Sequence, residues 1–346
     1  MKKIKTALIG LGRIGWDYHL PEITRHNGFC PIAVADTSKE RLAEAMEAYS
    51  IPGYIDYLQM YEKEKPDLSV IASPTPFHLE HAVQAMERGI DVFLDKPIAV
   101  DLSETDELIK VMKKTGRKLM VYQPLRMAPE FMLLQEILKK GLIGRVYLIK
   151  SARTNYVRRS DWQAVKKYGG GALNNYGAHQ IDQLICLANS PVKRVNCTLQ
   201  KVASFGDADD VAKALIKTQS GIVLDLDINM AAAEKLAPWI VYGNRGSITL
   251  REDGGKEFFH LRYFNEDEPG KLSLQAGLAA NQRSYDNSDD ILWHEEKIPM
   301  PIAKPDGFYD KCYEYYALDK EPFVHISETR EVMRIIDECR KDAERH

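Results

Sequence analysis

Between residues 5 and 122, short apolar runs alternate with amphipathic stretches. The runs predict strands at Lys5–Gly10, Pro31–Asp36, Leu68–Ala72, Asp91–Leu94 and Lys118–Tyr122. The stretches between them, among them Lys39–Tyr49, Leu79–Arg88 and Ser103–Thr115, carry apolar residues at the helical period. Ser38 and Ser103 have N-cap side chains, Asp106 follows three residues after Ser103, and Gly89 and Gly116 suit helix ends. Short apolar strands separated by helices imply a parallel sheet wound by right-handed crossovers.

After Pro124 the period changes. Glu130–Lys139 reads as a helix stopped by Gly141, Arg145–Thr154 alternates like a long strand, and Gly177–Ala188 is helical. Val192–Val202, Ala212–Thr218, Ile222–Met230, Trp239–Tyr242 and Ser247–Leu250 then predict strands in succession. Such a run points to a mainly antiparallel sheet with helices on one face. Residues 252–300, rich in charge, Gly and Asn, read as irregular hairpin and loop, and Phe308–Leu318 and Glu328–Arg345 as closing helices. The pattern gives an α/β domain over residues 1–122 and an α+β domain over 123–346.

The totals agree with two domains, since 346 residues exceed what one core comfortably holds. A net charge of -3 gives no reason to expect nucleic acid or an anionic membrane as partner. No apolar run approaches the ~20 residues that span a bilayer. Met1-Lys2-Lys3-Ile4 leads into a glycine turn rather than the apolar stretch of a signal peptide. The five cysteines are scattered and never form C-x-x-C, so they read as reduced thiols of a cytoplasmic protein.

The first strand ends in Gly10-Leu11-Gly12-Arg13-Ile14-Gly15, a G-x-G-x-x-G turn opening a helix, and the second ends at Asp36. In a Rossmann dinucleotide site one glycine allows the tight turn, one lets backbone approach the pyrophosphate, and one permits close helix–strand packing. An acid at Asp36 accepts the ribose hydroxyls and repels a 2′-phosphate, which favours NAD, while Lys39 and Arg41 nearby keep NADP possible. Ser73 and Thr75 offer hydroxyls at the end of the third strand; His78 and His81 lack a third ligand at zinc spacing, so packing rather than metal is expected. Lys96, in Asp95-Lys96-Pro97, lies beyond the carboxyl end of the fourth strand, where ligands of wound sheets bind. In Gly169–Asp182, Asn175 and His179 stand one helical turn apart, with Asp182 either orienting His179 or facing solvent. Histidine is the natural general base near neutral pH.

These stretches, in this order, resemble the glucose–fructose oxidoreductase / inositol dehydrogenase / rhizopine catabolism (Gfo/Idh/MocA) family. The matching segments are Gly10–Gly15, Ala35-Asp36, Ser73–His78, Asp95-Lys96-Pro97 and Gly169–His179. The resemblance implies a Rossmann domain plus a C-terminal α+β domain whose large, mainly antiparallel open sheet builds homodimers or homotetramers. It implies a cofactor site of Gly10, Gly12, Arg13, Ile14, Gly15, Asp36, Arg41, Ser73, Thr75, His78, Asp95, Lys96 and Gln123. Lys96, His179 and Asn175 would then be catalytic, with Arg158, Asp161, Trp162 and Tyr176 joining them around the substrate. Three positions depart from the family pattern. Asp95 replaces the usual glutamate, Asn175 stands where an aspartate is common, and Tyr122–Arg126 replaces an Asn-Arg-Arg run. An asparagine cannot accept a proton, so an Asp–His relay is not available here.

The expected activity is NAD(P)-dependent hydride transfer to or from a secondary hydroxyl of a sugar, cyclitol or related polyol. Two alternatives stay open: a redox-cycling lyase or glycosidase working through a transient keto-sugar on tightly bound NAD, and a non-catalytic dinucleotide sensor.

Overall fold

β1 (Ile4–Ile9) lies inside a six-stranded sheet because every residue of it but Lys5 is buried. The computed structural model describes residues 3–267, 291–302 and 307–345; part of the expected 252–300 loop falls outside these. Around β1 stand β2 (Phe29–Ala35), β3 (Gly53–Tyr54), β4 (Leu68–Ile71), β5 (Asp91–Leu94) and β6 (Leu119–Val121), all parallel, in the order β3-β2-β1-β4-β5-β6. The crossovers are α1 (Leu20–Arg25), α2 (Lys39–Tyr49), α3 (Tyr57–Glu64), α4 (His78–Glu87) and α5 (Leu102–Thr115). This is the doubly wound Rossmann arrangement, its order reversing between β1 and β4. Ser38 caps α2 as its sequence suggests, accepting from the Arg41 N–H at 3.2 Å. The cap of α5 is Asp101 rather than Ser103: its carboxylate accepts from the Glu104 N–H at 2.9 Å, and the Glu104 side chain accepts in return from the Val100 N–H at 3.1 Å. An acid two residues earlier reaches the free N–H groups first and leaves Ser103 inside the first turn.

The second half supplies α6 (Pro129–Lys139), β7 (Val146–Thr154), α7 (Ala178–Ala188), β8 (Val192–Gln200), β9 (Val211–Thr218), β10 (Val223–Asn229), β11 (Trp239–Gly243), β12 (Gly246–Asp253), β13 (Lys256–Tyr263) and β14 (His294–Pro299). Their eight-stranded sheet runs β14-β13-β12-β11-β7-β10-β9-β8 and is antiparallel except where β10 pairs with β7. Alternate residues such as Leu224, Leu226 and Ile228 are buried, while the intervening Asp225 and Asp227 pair with Lys150 and Lys213 on the other face.

The reading of residues 252–300 as irregular hairpin and loop is corrected by β13 and the edge strand β14. Gly254 and Gly255 both take positive φ, 58° and 77°, the backbone of a tight hairpin between β12 and β13. Within β13, Phe259 and Leu261 face the core and His260 and Arg262 the other side, so a period of two is present beneath a charged composition.

The last helices are α8 (Phe308–Leu318) and α9 (Ile326–Ala343). α9 starts two residues earlier than its pattern suggests, because His325 and Glu328 form a capping box. α8 returns to the first half, where Phe308, Tyr309, Cys312 and Tyr313 pack among Leu8, Leu20, Phe29 and Phe93. No helix among the described residues is long and apolar enough to cross a membrane.

His19 is sealed in that packing. Its Nδ1 meets the Tyr309 hydroxyl at 2.9 Å, its Nε2 has no partner among the described residues, and burial pushes its pKa down to about 3. The folded chain therefore keeps His19 neutral where the unfolded chain, near pH 6.5, takes up a proton. The associated stability is whole above about pH 6.5 and falls as acid is added. At pH 5 the loss from this residue is roughly 2 kcal/mol. Urea unfolding at pH 7.5 and 5 checks this: replacing His19 by Gln should flatten the difference, and an unchanged acid dependence in that variant would assign it elsewhere.

Candidate active-site cleft

A cleft of about 980 Å³ runs along the carboxyl ends of the parallel strands and ends against α7. Its glycines divide the labour. Gly10 takes φ +93°, and a Cβ there would stand 2.7 Å from the Ala72 carbonyl and the Ser73 nitrogen. A Cβ on Gly15 would fall 1.9 Å from the Gly10 carbonyl oxygen, so that glycine is required by the packing of the turn. A Cβ on Gly12 meets nothing within 4 Å, because Gly12 borders the open cleft. Bare backbone at the start of a helix is the cradle that a pyrophosphate needs. Arg13 and Ile14 line the same stretch.

Asp36 and Arg41 close one end. The Asp36 carboxylate accepts from the Leu11 N–H at 2.7 Å and the Ser38 N–H at 2.9 Å, and it stands 3.6 Å from the Arg41 guanidinium. Two backbone donors fix its direction and still leave acceptor sites for a diol. The residues present thus fit a dinucleotide.

Ser73 and Thr75 line the middle. His78 lies behind them, not in the lining: its ring sits between the Pro97 carbonyl at 2.9 Å and the Ser73 carbonyl at 2.8 Å, donating to one of them when neutral. It thereby ties the loop after β4 to the loop after β5. Its neighbour His81 bonds the Ser73 hydroxyl through Nδ1 at 3.0 Å.

At the other end Lys96, Asn175 and His179 come together, 79 to 83 residues apart in sequence. The Lys96 ammonium donates to the Asn175 carbonyl at 3.0 Å and to its side-chain oxygen at 3.3 Å. Burial lowers its pKa, against the pull of Asp95, whose carboxylate accepts Lys96's own N–H at 2.8 Å. Asp95 is itself pushed up by burial. Asn175 therefore anchors Lys96 and relays no proton.

His179 is held by Gln123. The Gln123 Nε2 donates to the Ala178 carbonyl at 3.3 Å, which turns Oε1 toward His179 Nδ1, also at 3.3 Å. An acceptor at Nδ1 places the ring proton there and leaves the Nε2 lone pair free. Burial, then the charges of Lys96 and Arg153, hold His179 well below its usual pKa. Gln123, expected among the cofactor contacts, is thus a support for the base and lies outside the cleft lining.

The remaining substrate candidates separate. Trp162 lines the cleft. Arg158 lies over the Phe205 ring at 4.6 Å, and Asp161 caps a short helical turn through the Gln163 N–H at 2.9 Å while pairing with Arg159; neither is in the lining. Tyr176 stands beside Asn175 and carries the Arg153 guanidinium 4.7 Å from its ring centre. Asp182 makes no bond to His179 and does not face solvent: it is buried in a two-point pair with Arg126, at 2.6 and 2.7 Å. Sequence reasoning missed Arg153. A single arginine in a strand has no motif, and only the fold brings it near His179.

Two family models match. One, described as the oxidoreductase family with NAD-binding Rossmann fold, covers residues 4–123, and the GFO/IDH/MocA C-terminal domain covers residues 131–249. A D-glucoside 3-dehydrogenase of Escherichia coli is 27% identical over 88% of this chain and 92% of its own. A 2,7-anhydro-N-acetylneuraminate hydratase of Mediterraneibacter gnavus is 24% identical over 80% of this chain and 77% of its own. The crystal structure of an NAD-binding protein from Listeria innocua shares the fold with a TM-score of 0.85, at 24% identity over 100% of this chain and 98% of that one.

The two exposed roles of the turn can be separated by substitution. Gly12→Ala should leave the melting temperature nearly unchanged and weaken NADH binding, read by fluorescence. Gly15→Ala should instead destabilise the fold by about 1–3 kcal/mol. Equal effects of the two on stability would contradict this division.

Proposed function

This chain belongs to the Gfo/Idh/MocA oxidoreductase family, and from that premise we propose that it moves hydride between NAD and a secondary hydroxyl of a sugar or polyol. The observation that carries the reading is the meeting of the Lys96 ammonium and the His179 imidazole at one end of the cleft. When bound, the nicotinamide supplies the hydride acceptor or donor. Lys96 spends two of its three N–H donors on Asn175 and keeps one for the reacting oxygen. A cation there favours the alkoxide that develops as the hydrogen leaves. His179, kept neutral and with its Nε2 lone pair free, takes the hydroxyl proton. Asp36 favours NAD over NADP by its charge, with Arg41 as a partial counterweight. The related glucoside 3-dehydrogenase supports a ring hydroxyl as the reacting group.

The related hydratase favours one second reading, in which the same pair oxidises a ring carbon transiently and the hydride is returned after an elimination. That chemistry leaves no net NADH. Measuring NADH at 340 nm alongside product formation separates the two.

Replacing Lys96 by Met should lower kcat/KM by about 10²–10³ on any substrate the enzyme turns over. For alcohol oxidation the base must be neutral, so kcat/KM should hold level as pH falls through 6.5 and decline only well below it. His179→Asn should remove that acid limb and cost about 10²–10⁴ in rate. A wild-type inflection above pH 6.5 that survives in the variant would take His179 out of the proton transfer.

A further inference from the structure

Cations gather beside the substrate end of the cleft: Arg153 and Arg159 stand outside its lining but close enough to act on Lys96 within it. Arg153, near the end of β7, lies over the Tyr176 ring, is exposed, and pairs with no carboxylate among the described residues. Arg159 touches the same tyrosine, donating to its hydroxyl at 3.4 Å, and bonds the side chain of Gln163, which lines the cleft beside Asn175. Lys96 completes the group. The acids balance it in part: Asp161 pairs with Arg159 at 2.9 Å and Asp95 acts on Lys96, which leaves Arg153 as the cation without a carboxylate among the described residues. An aspartate at position 175 would add a second carboxylate beside Lys96; the asparagine leaves Asp95 as the acid that acts on it. The oxidised nicotinamide adds a further positive charge when present. A neutral polyol would have to sit among these cations without offsetting any of them.

We propose that the substrate is a sugar or polyol bearing an anionic group, a carboxylate or a phosphate, received by Arg153 and Arg159 while Lys96 holds the reacting hydroxyl. The inference rests on the hydride-transfer reading above and names the substrate class of that site. The planar guanidiniums suit it. Arg153 lies over the Tyr176 ring at 4.7 Å, and its fork of donors matches a carboxylate or phosphate two-point.

The test uses the full chain with NAD and a panel of matched compounds. Methyl glucoside, glucose and myo-inositol are the neutral members; glucuronate, galacturonate, gluconate and glucose 6-phosphate are the anionic ones. The anionic members should exceed their neutral counterparts in kcat/KM by about 10–100-fold, the worth of one to two charge-assisted hydrogen bonds. Carboxylates and phosphates are told apart by which arm leads. Arg153→Gln should shrink the anionic-to-neutral ratio about tenfold, chiefly through KM, and Arg153→Lys should restore part of it. Calorimetric titration of the NADH complex with glucuronate and with glucose gives the same ratio for binding and does not depend on turnover. Equal or better use of neutral members, or a ratio unmoved by Arg153→Gln, would overturn the inference while leaving hydride transfer intact. Failure of the protein to bind NADH at all would overturn the parent reading instead.

Discussion

The geometry of this protein turns on the buried pair between Arg126 and Asp182. Arg126 comes from the segment that follows the last parallel strand, and Asp182 from α7, the helix that carries His179. Their two hydrogen bonds are closed off from water, and a third from Arg126 reaches Glu328 on α9 at 2.9 Å. Such a pair gives little net stability over an apolar packing of the same shape, yet removing one partner strands a charge and costs about 3–5 kcal/mol. Its effect is positional. With α7 pinned one turn beyond His179, the imidazole has a single place relative to Gln123, which follows directly on the first sheet. The base is aligned by an ion pair that never touches it.

A second constraint acts on the other side of the cleft. His78 is packed between the Ser73 and Pro97 carbonyls and donates to one of them, so it holds the loops after β4 and β5 against each other. One loop lines the dinucleotide path and the other carries Lys96. The two carbonyls and nearby Asp95 favour the charged ring, while burial opposes it and prevails in lowering its pKa. Lys96 is held in place from that side, and its contact with Asn175 joins the loop after β5 to the segment that leads into α7, at the end of the cleft where His179 stands.

Much of this was readable in the sequence because the relevant signals are local. The glycine spacing, the acid at the end of β2, the lysine after β5 and the one-turn offset of Asn175 and His179 all lie within short windows. What escaped is non-local or masked. Arg126 and Asp182 are 56 residues apart, and nothing in either neighbourhood announces the other. Gln123 sits at the edge of a motif and was read as part of it, although its partner lies on another helix. β13 alternates faithfully, but the charges on its outer positions disguise the pattern. Ser103 and Asp101 compete for one cap, and two residues are enough to reverse the choice.

The return of α8 to the first sheet has a consequence for synthesis. Phe308, Tyr309 and Tyr313 close the aromatic packing around Phe29 and Phe93, whose own strands emerge some 215 to 280 residues earlier. A ribosome releasing the chain from its amino end exposes that apolar surface long before its cover is made. The dinucleotide half can wind early but is sealed only once α8 has left the ribosome, so its final cooperative step waits for residues beyond 300.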